Sequence, residues 1–180
     1  MRWLWLVFLG FLVLPVQARD WQVDYAKSAV RFVIRQMNVP VEGGFRRFAA
    51  QADFDPARPE QGRLRVELDV GSIDTGSTEG DGEARRPLWF DAARHPRAVF
   101  VSKAIRRLAD GRYAASGELN VKGQVRPVTV PFALVRQANG GWLAEGGFAL
   151  RRSDFGIGGG DWNDVVDDVA EARFRIALLP

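Results

Sequence analysis

Between Arg63 and Val70 the chain alternates without a slip, with Leu64, Val66, Leu68 and Val70 apolar and Arg63, Arg65, Glu67 and Asp69 charged. In an extended chain this period of two turns one face to a core and the other to water. The rhythm returns through most of the sequence, and no comparable stretch has helical spacing. A curved antiparallel sheet around an apolar interior is therefore predicted.

Eight strands follow from that pattern. The first runs from Trp21 to Gln36 with an irregularity at 24–28, and the second from Val41 to Asp55, where Gly43 and Gly44 indicate a bulge or sharp bend. The third runs from Arg63 to Ile73, and the fourth from after Pro96 to Leu108. Then come Arg112 to Val121, Gln124 to Gln137, Trp142 to Arg151 and Val166 to Leu179. Asp110-Gly111, Lys122-Gly123 and Asn139-Gly140 supply hairpin turns. Pro127 and Pro131 fit the sixth strand only if their missing N–H groups fall at an edge or a strained point of the ladder. A short helix, forming a lid between strands three and four, is expected over Glu83 to Phe90.

Eight antiparallel strands joined by short hairpins can close on themselves, and the lumen is then either plugged by side chains or wide enough for one small ligand. Small residues at inward positions, namely Ala50, Ala52, Ala115, Gly117, Ala144 and Gly146, argue for a hollow.

The first eighteen residues stand apart. Arg2 precedes an apolar run from Trp3 to Leu14, followed by Pro15, Val16, Gln17 and Ala18. This is the form of a cleaved secretory signal peptide, since a spanning helix needs about 20 apolar residues. Cutting after Ala18 leaves residues 19–180 as one domain. With no cysteine among the 180 residues, neither a disulfide scaffold nor thiol chemistry is available, and export without cysteine favours the periplasm. The formal charge is +3, and without Arg2 the 24 remaining basic residues face 22 acidic ones. Many arginines also occupy alternate, solvent-facing strand positions, so nucleic acid is not an expected partner.

Catalytic motifs do not accumulate. His95 is the single histidine, it precedes Pro96 in a loop, and neither a G-x-S-x-G elbow nor an HExxH pair accompanies it. Asp161, Asp164, Asp167 and Asp168 with Asn163 lack the spacing and central glycine of a calcium loop. Gly156, Gly158, Gly159 and Gly160 lack the strand-then-helix setting of a phosphate loop and read as a tight loop that uses glycine's φ freedom. No metal or cofactor is expected.

Several stretches carry a more specific signal. They are Trp21-Gln22-Val23-Asp24 with Ser28, Val30 and Phe32, then Val41-Glu42-Gly43-Gly44-Phe45, then the run from Asp69 through Ser72-Ile73-Asp74 to Gly76. Trp89-Phe90-Asp91 follows with His95-Pro96, Phe100 and Ser102, then Tyr113 with the run from Gly117 to Gly123 and Pro127-Val128, and last the run from Arg152 to Gly158. In this order the chain resembles the YceI family over nearly its whole length after residue 18. The resemblance implies an exported, lipocalin-like barrel whose elongated pocket binds a polyisoprenoid or a similar amphiphile, such as an isoprenoid quinone or a fatty amide, with no catalytic residues. It also implies, from the company relatives keep, a cytochrome b561-type membrane redox protein as a partner. The chain departs from the family's pattern between Asp81 and Asp91 and between Gln36 and Val41.

The binding chemistry follows from the residues themselves. Each buried methylene contributes about 0.8 kcal/mol, so a five-carbon isoprene unit gains roughly 3 to 4 kcal/mol before ordering costs. The candidate apolar wall is Phe32, Ile34, Phe48, Phe54, Leu64, Val66, Leu68, Phe100, Leu119, Val130, Phe132, Trp142, Phe148 and Phe174. A polar head near the mouth would suit the forked donors of Arg85, Arg86, Arg126, Arg151 or Arg152, with Trp89 and Phe90 as lid residues. The function expected is that of an exported, non-enzymatic lipid-binding protein that transports, stores or sequesters its cargo. The alternatives are a lipid hydrolase or isomerase that uses the same pocket, and a quinone-binding partner of the redox protein.

Overall fold

The computed structural model describes residues 20–179, so the expected signal peptide lies outside the described residues. Eleven strands are present among them. They are β1 (Asp20–Val23), β2 (Ala29–Gln36), β3 (Val39–Phe45), β4 (Phe48–Asp53), β5 (Arg63–Asp69), β6 (Ile73–Asp74), β7 (Arg97–Arg107), β8 (Tyr113–Val121), β9 (Gln124–Arg136), β10 (Trp142–Arg151) and β11 (Val169–Leu179). One α-helix, α1 (Thr78–Ala84), accompanies them.

These strands make eight staves of a closed antiparallel barrel. β1 and β2 form one stave, since both pair with β11, through Val23 with Leu178 and through Ala29 with Arg175. β3 and β4 form the next, β3 lying against β2 and β4 against β1. Single strands β5, β7, β8, β9, β10 and β11 complete the ring, which β11 closes by returning to β1. The expected eight-stranded barrel is therefore what the chain forms.

The irregularity at 24–28 is a turn of 3-10 helix over Tyr25–Lys27 that splits the first stave. Ser28 bridges the gap, its hydroxyl donating to the Asp24 carbonyl at 2.7 Å and accepting from the Ala177 N–H at 2.9 Å. Gly43 and Gly44 make no bulge, for β3 stays in register with β2 through both. A Cβ on Gly43 would lie 2.3 Å from the Phe32 ring and 2.6 Å from the Asp74 carbonyl, so the glycine admits close packing, and the bend falls at Arg46 and Arg47 instead. The register shift in the barrel wall sits on β7 between Ser102 and Ala104. There the Ser102 hydroxyl accepts from the Leu64 N–H at 2.8 Å.

Both prolines of β9 find the tolerated position. Lys122 and Gly123 have φ of 52° and 76°, the two-residue turn that makes Val121 and Gln124 a hydrogen-bonded pair. Counting from that pair, Pro127 and Pro131 turn their nitrogens away from β8. On that other side the β9–β10 ladder begins only at Phe132, opposite Gly146, so no bond is lost.

The helix lies earlier than expected. Ser77 caps it, accepting from the Gly80 N–H at 3.0 Å, and Glu79 and Asp81 occupy its first turn. Asp81 also accepts from the backbone N–H and hydroxyl of Thr75, at 2.7 and 2.9 Å. These caps outweigh the cost of Gly80 and Gly82. Residues 85–94 form successive turns, since Pro87 has no N–H and disfavours helix at the residue before it.

Buried side chains gather in three clusters. Val70, Ala98, Leu119, Val121, Phe155 and Ile157 close one end. At the other, Phe54, Ile105, Tyr113, Ala115 and Phe132 meet Trp21, Ala52, Ile176 and Leu178. A cavity lies between.

Candidate ligand cavity

The cavity holds about 980 Å³ and runs through the barrel interior. That volume is at the upper end of ligand pockets, roughly 300 to 1,000 Å³, so the lumen is hollow and not plugged. Ala50, Ala52, Ala115 and Ala144 on its wall leave the space that larger inward side chains would fill. Gly117 and Gly146 do not line it. A Cβ on the first would meet the Val101 carbonyl at 2.1 Å, and one on the second would meet the Pro131 carbonyl at 2.3 Å and the Phe174 ring at 2.8 Å.

Of the candidate wall residues, Phe32, Ile34, Phe54, Leu64, Val66, Leu68, Phe100, Leu119, Val130, Phe132, Phe148 and Phe174 line this cavity. Two do not. Phe48 follows the bend at Arg47 and packs edge-on against Tyr25, with ring centroids 5.4 Å apart. Trp142 begins β10 opposite Leu178, where it covers the barrel end with the Arg136 guanidinium 4.9 Å over its ring.

The exposed residues Gln36, Ser77, Thr78, Glu79 and Arg86 also line the cavity, which reaches the surface beside α1. Trp89 and Phe90 lie on the wall there, Phe90 edge-on to Phe45 at 6.2 Å. The five candidate arginines divide. Arg86 lines the opening and pairs with Glu83 at 3.1 Å. Arg85, Arg126 and Arg151 are not on the cavity. Arg85 faces Asp81 at 3.8 Å, Arg126 donates to the Val125 carbonyl at 2.9 Å and to Gln124, and Arg151 pairs with Asp168 at 2.8 Å.

Arg152 lines the cavity from the interior and is only 3% exposed. Its guanidinium donates to the carbonyls of Ile157 (2.8 Å), Val166 (2.8 Å), Asp167 (3.1 Å) and Trp162 (3.4 Å), to that of Gly158, and to Asn163 Oδ1 at 3.2 Å. It thus braces the whole segment from Gly156 to Asp167. In that segment Gly156, Gly158 and Gly160 have φ near +64°, the left-handed conformation their sequence pattern called for.

This brace brings in wall residues that strand periodicity could not supply, namely Phe155, Ile157 and Trp162. Trp162 sits edge-on to Trp89 with centroids 5.2 Å apart. A tryptophan inside an acidic loop was the available signal, because a solvated loop has no use for one. The Trp89 indole N–H is buried and has no hydrogen-bond partner among the described residues. His95 is not on the cavity and faces Gly123. The described residues hold no group of three His, Asp or Glu side chains that could bind a metal ion, and no helix long and apolar enough to cross a membrane.

Four similarities to known proteins bear on this geometry. The family model of the YceI-like domain matches residues 21–178. The crystal structure of Burkholderia cenocepacia BcnA superposes with a TM-score of 0.83 at 38% identity, covering 87% of this chain and 99% of that one. A UPF0312 protein of Azotobacter vinelandii is 32% identical over 120 residues, which are 64% of this chain and 62% of that relative. A polyisoprenoid binding domain from Saccharophagus degradans, implicated in plant cell wall breakdown, shares the fold at a TM-score of 0.69 and 15% identity, over 88% of this chain and 97% of that one.

Proposed function

The chain belongs to the YceI-like domain family, and on that premise we propose that it is a non-enzymatic binding protein that holds a polyisoprenoid or similar long-chain amphiphile within the barrel. The carrying observation is the apolar cavity of about 980 Å³, long enough in section to meet both end clusters of the core. A wall of Phe, Leu, Val and Ala side chains rewards a hydrocarbon chain at about 0.8 kcal/mol per methylene, and the ordering of that chain offsets much of the gain. Tight but exchangeable retention results, which suits transport, storage or sequestration. The Saccharophagus degradans domain, which shares this fold and binds polyisoprenoid, supports the choice of cargo.

Export to the periplasm through residues 1–18 belongs to the same proposal, and fractionation with N-terminal sequencing tests it. An isoprenoid quinone as cargo would fit a cytochrome b561-type partner, and co-purified quinone is the mark to look for. The decisive experiment is native mass spectrometry of gently prepared protein followed by lipid extraction. A bound prenyl lipid is expected. Empty protein at every preparation, together with intrinsic fluorescence that added prenyl lipids leave unchanged, would overturn the reading.

A further inference from the structure

We propose that the tip of the β2–β3 hairpin, Met37 and Val39, inserts into the surface of a zwitterionic lipid bilayer and seats the mouth of the cavity on it, so that a cargo chain passes between bilayer and barrel without crossing water. The inference rests on the reading above that the cavity holds a lipid.

The apolar wall does not stop at the rim. Ile34 stands opposite Val41, and Gln36 opposite Val39, and residues two apart on a strand share a face. Ile34, Gln36 and Val41 line the cavity, so Val39 carries the same face on beyond it. From Gln36 to Val41 the sequence holds no charge, in a chain that is 26% charged. Met37 and Val39 end this stripe at 73% and 62% exposed, the two highest exposures of large hydrophobic side chains among the described residues.

The tip is also fixed in place. Met37 and Asn38 have φ of 50° and 65°, the left-handed pair of a two-residue hairpin turn, where Asn or Gly is the usual choice. The Met37 N–H donates to the Val165 carbonyl at 2.7 Å, the Asp167 N–H to the Arg35 carbonyl at 2.9 Å, and Arg35 Nη1 to the Asn38 carbonyl at 3.2 Å. A thioether is thus presented on a backbone ordered before any partner arrives, which lowers the cost of insertion.

Size and charge together select a bilayer as the occupant. Two side chains on a turn fall far short of the roughly 800 Å² per partner that a stable dimer buries, whereas attachment to a bilayer scales with whatever apolar area enters it. Charge returns directly below the tip, with Arg35 before the run and Glu42 after it, at the depth where an inserted turn meets the headgroups. Glu79 at the mouth, and Asp164 and Asp167 on either side of the segment that anchors the tip, are exposed and oppose an anionic surface. The lipid surface that fits is therefore one without net charge.

The test uses the full chain and vesicles of phosphatidylcholine. Met37→Asn combined with Val39→Thr keeps the turn and the strand, since Asn tolerates the left-handed conformation and Thr suits a strand, while the apolar tip is lost. Co-sedimentation should find the unaltered protein on the vesicles and the double variant bound at least about tenfold more weakly. Val135→Thr, a change at an exposed valine of β9 near the Trp142 end, should stay within about twofold of the unaltered protein. Binding should survive high salt and fall as phosphatidylglycerol replaces phosphatidylcholine. Transfer of a prenyl lipid out of the vesicles should slow in the double variant, whereas its affinity for a prenyl alcohol already dissolved in water should stay within about twofold. No vesicle binding by the unaltered protein, equal binding by the double variant, or binding that salt releases would overturn the docking and, where the dissolved alcohol still binds, leave the lipid-binding reading intact. Self-association that the double variant abolishes would assign the tip to a second copy and overturn the docking as well. If the dissolved alcohol does not bind, that reading falls and the docking with it.

Discussion

At one end of the barrel Trp21 is buried against Ala52, Ile176 and Leu178 with its indole N–H bonded to Phe54, while Tyr113 stacks on Phe132 and donates its hydroxyl to the Pro56 carbonyl at 3.2 Å. At the other end Trp89 meets Trp162 edge-on, its N–H without a partner among the described residues, beside the Arg152 guanidinium that donates to five backbone carbonyls and to Asn163. Both ends are aromatic, and both sit on the same eight staves. The first is finished, with its polar atoms answered from within the chain, as ordinary core requires. The second leaves one buried indole N–H without a partner among the described residues.

Replacing Arg152 with Met breaks the comparison most severely. The substitution strips six acceptors of their donor and releases the segment 156–167, so a loss of about 3 to 5 kcal/mol is expected in denaturant unfolding. Gly158→Ala comes next, since φ of +63° and a Cβ 2.9 Å from the Trp89 ring oppose any side chain. A cost of about 2 kcal/mol is expected from thermal melts.

The paired substitutions Trp21→Phe and Trp89→Phe sharpen the contrast directly. The first leaves the Phe54 carbonyl without its donor and should cost about 1 to 2 kcal/mol, whereas the second removes an orphan donor and should leave the ligand-free protein within about 0.5 kcal/mol of its starting stability. Equal losses would erase the distinction between the ends.

The smallest effect concerns Asp168, which ties the Arg152 segment to the start of β11. Partial burial works against its charged form, but the Ser153 hydroxyl, the Ser153 N–H and Arg151 more than offset this and hold its pKa below the usual 3.8. A depressed carboxylate stabilises the fold above its unfolded pKa and loses that contribution as pH falls through the folded value. Asp168→Asn should therefore be less stable than the unaltered chain at neutral pH, by under about 1 kcal/mol, with the gap closing below about pH 4. Chemical unfolding across pH 2 to 7 measures it.

Strand periodicity carried most of the fold, because alternation fixes which face of each stave is inward wherever one face is buried. It placed Phe32, Val66, Phe100 and Phe174 on the wall for that reason. It misplaced Phe48 and Trp142, whose parity is inward but whose positions, beside a bend and at a strand end, let them pack elsewhere. The short helix was expected too late in the chain, because Gly80 and Gly82 hide the cap that Ser77 provides. Arg152 was visible as a candidate cation and invisible as a brace, since its six acceptors converge only after three left-handed glycines fold the loop back. For the same reason the orphan N–H of Trp89 could not be read from the letters.

The prolines of β9 have an effect outside the molecule. From Gln124 to Val130 no strand pairs with β9 on one side, and such a run ordinarily invites a strand from another molecule to add itself. Two of the donors a newcomer would need are missing at Pro127 and Pro131, so the seam makes a poor template, and a crowded compartment full of identical copies is less prone to link them edge to edge.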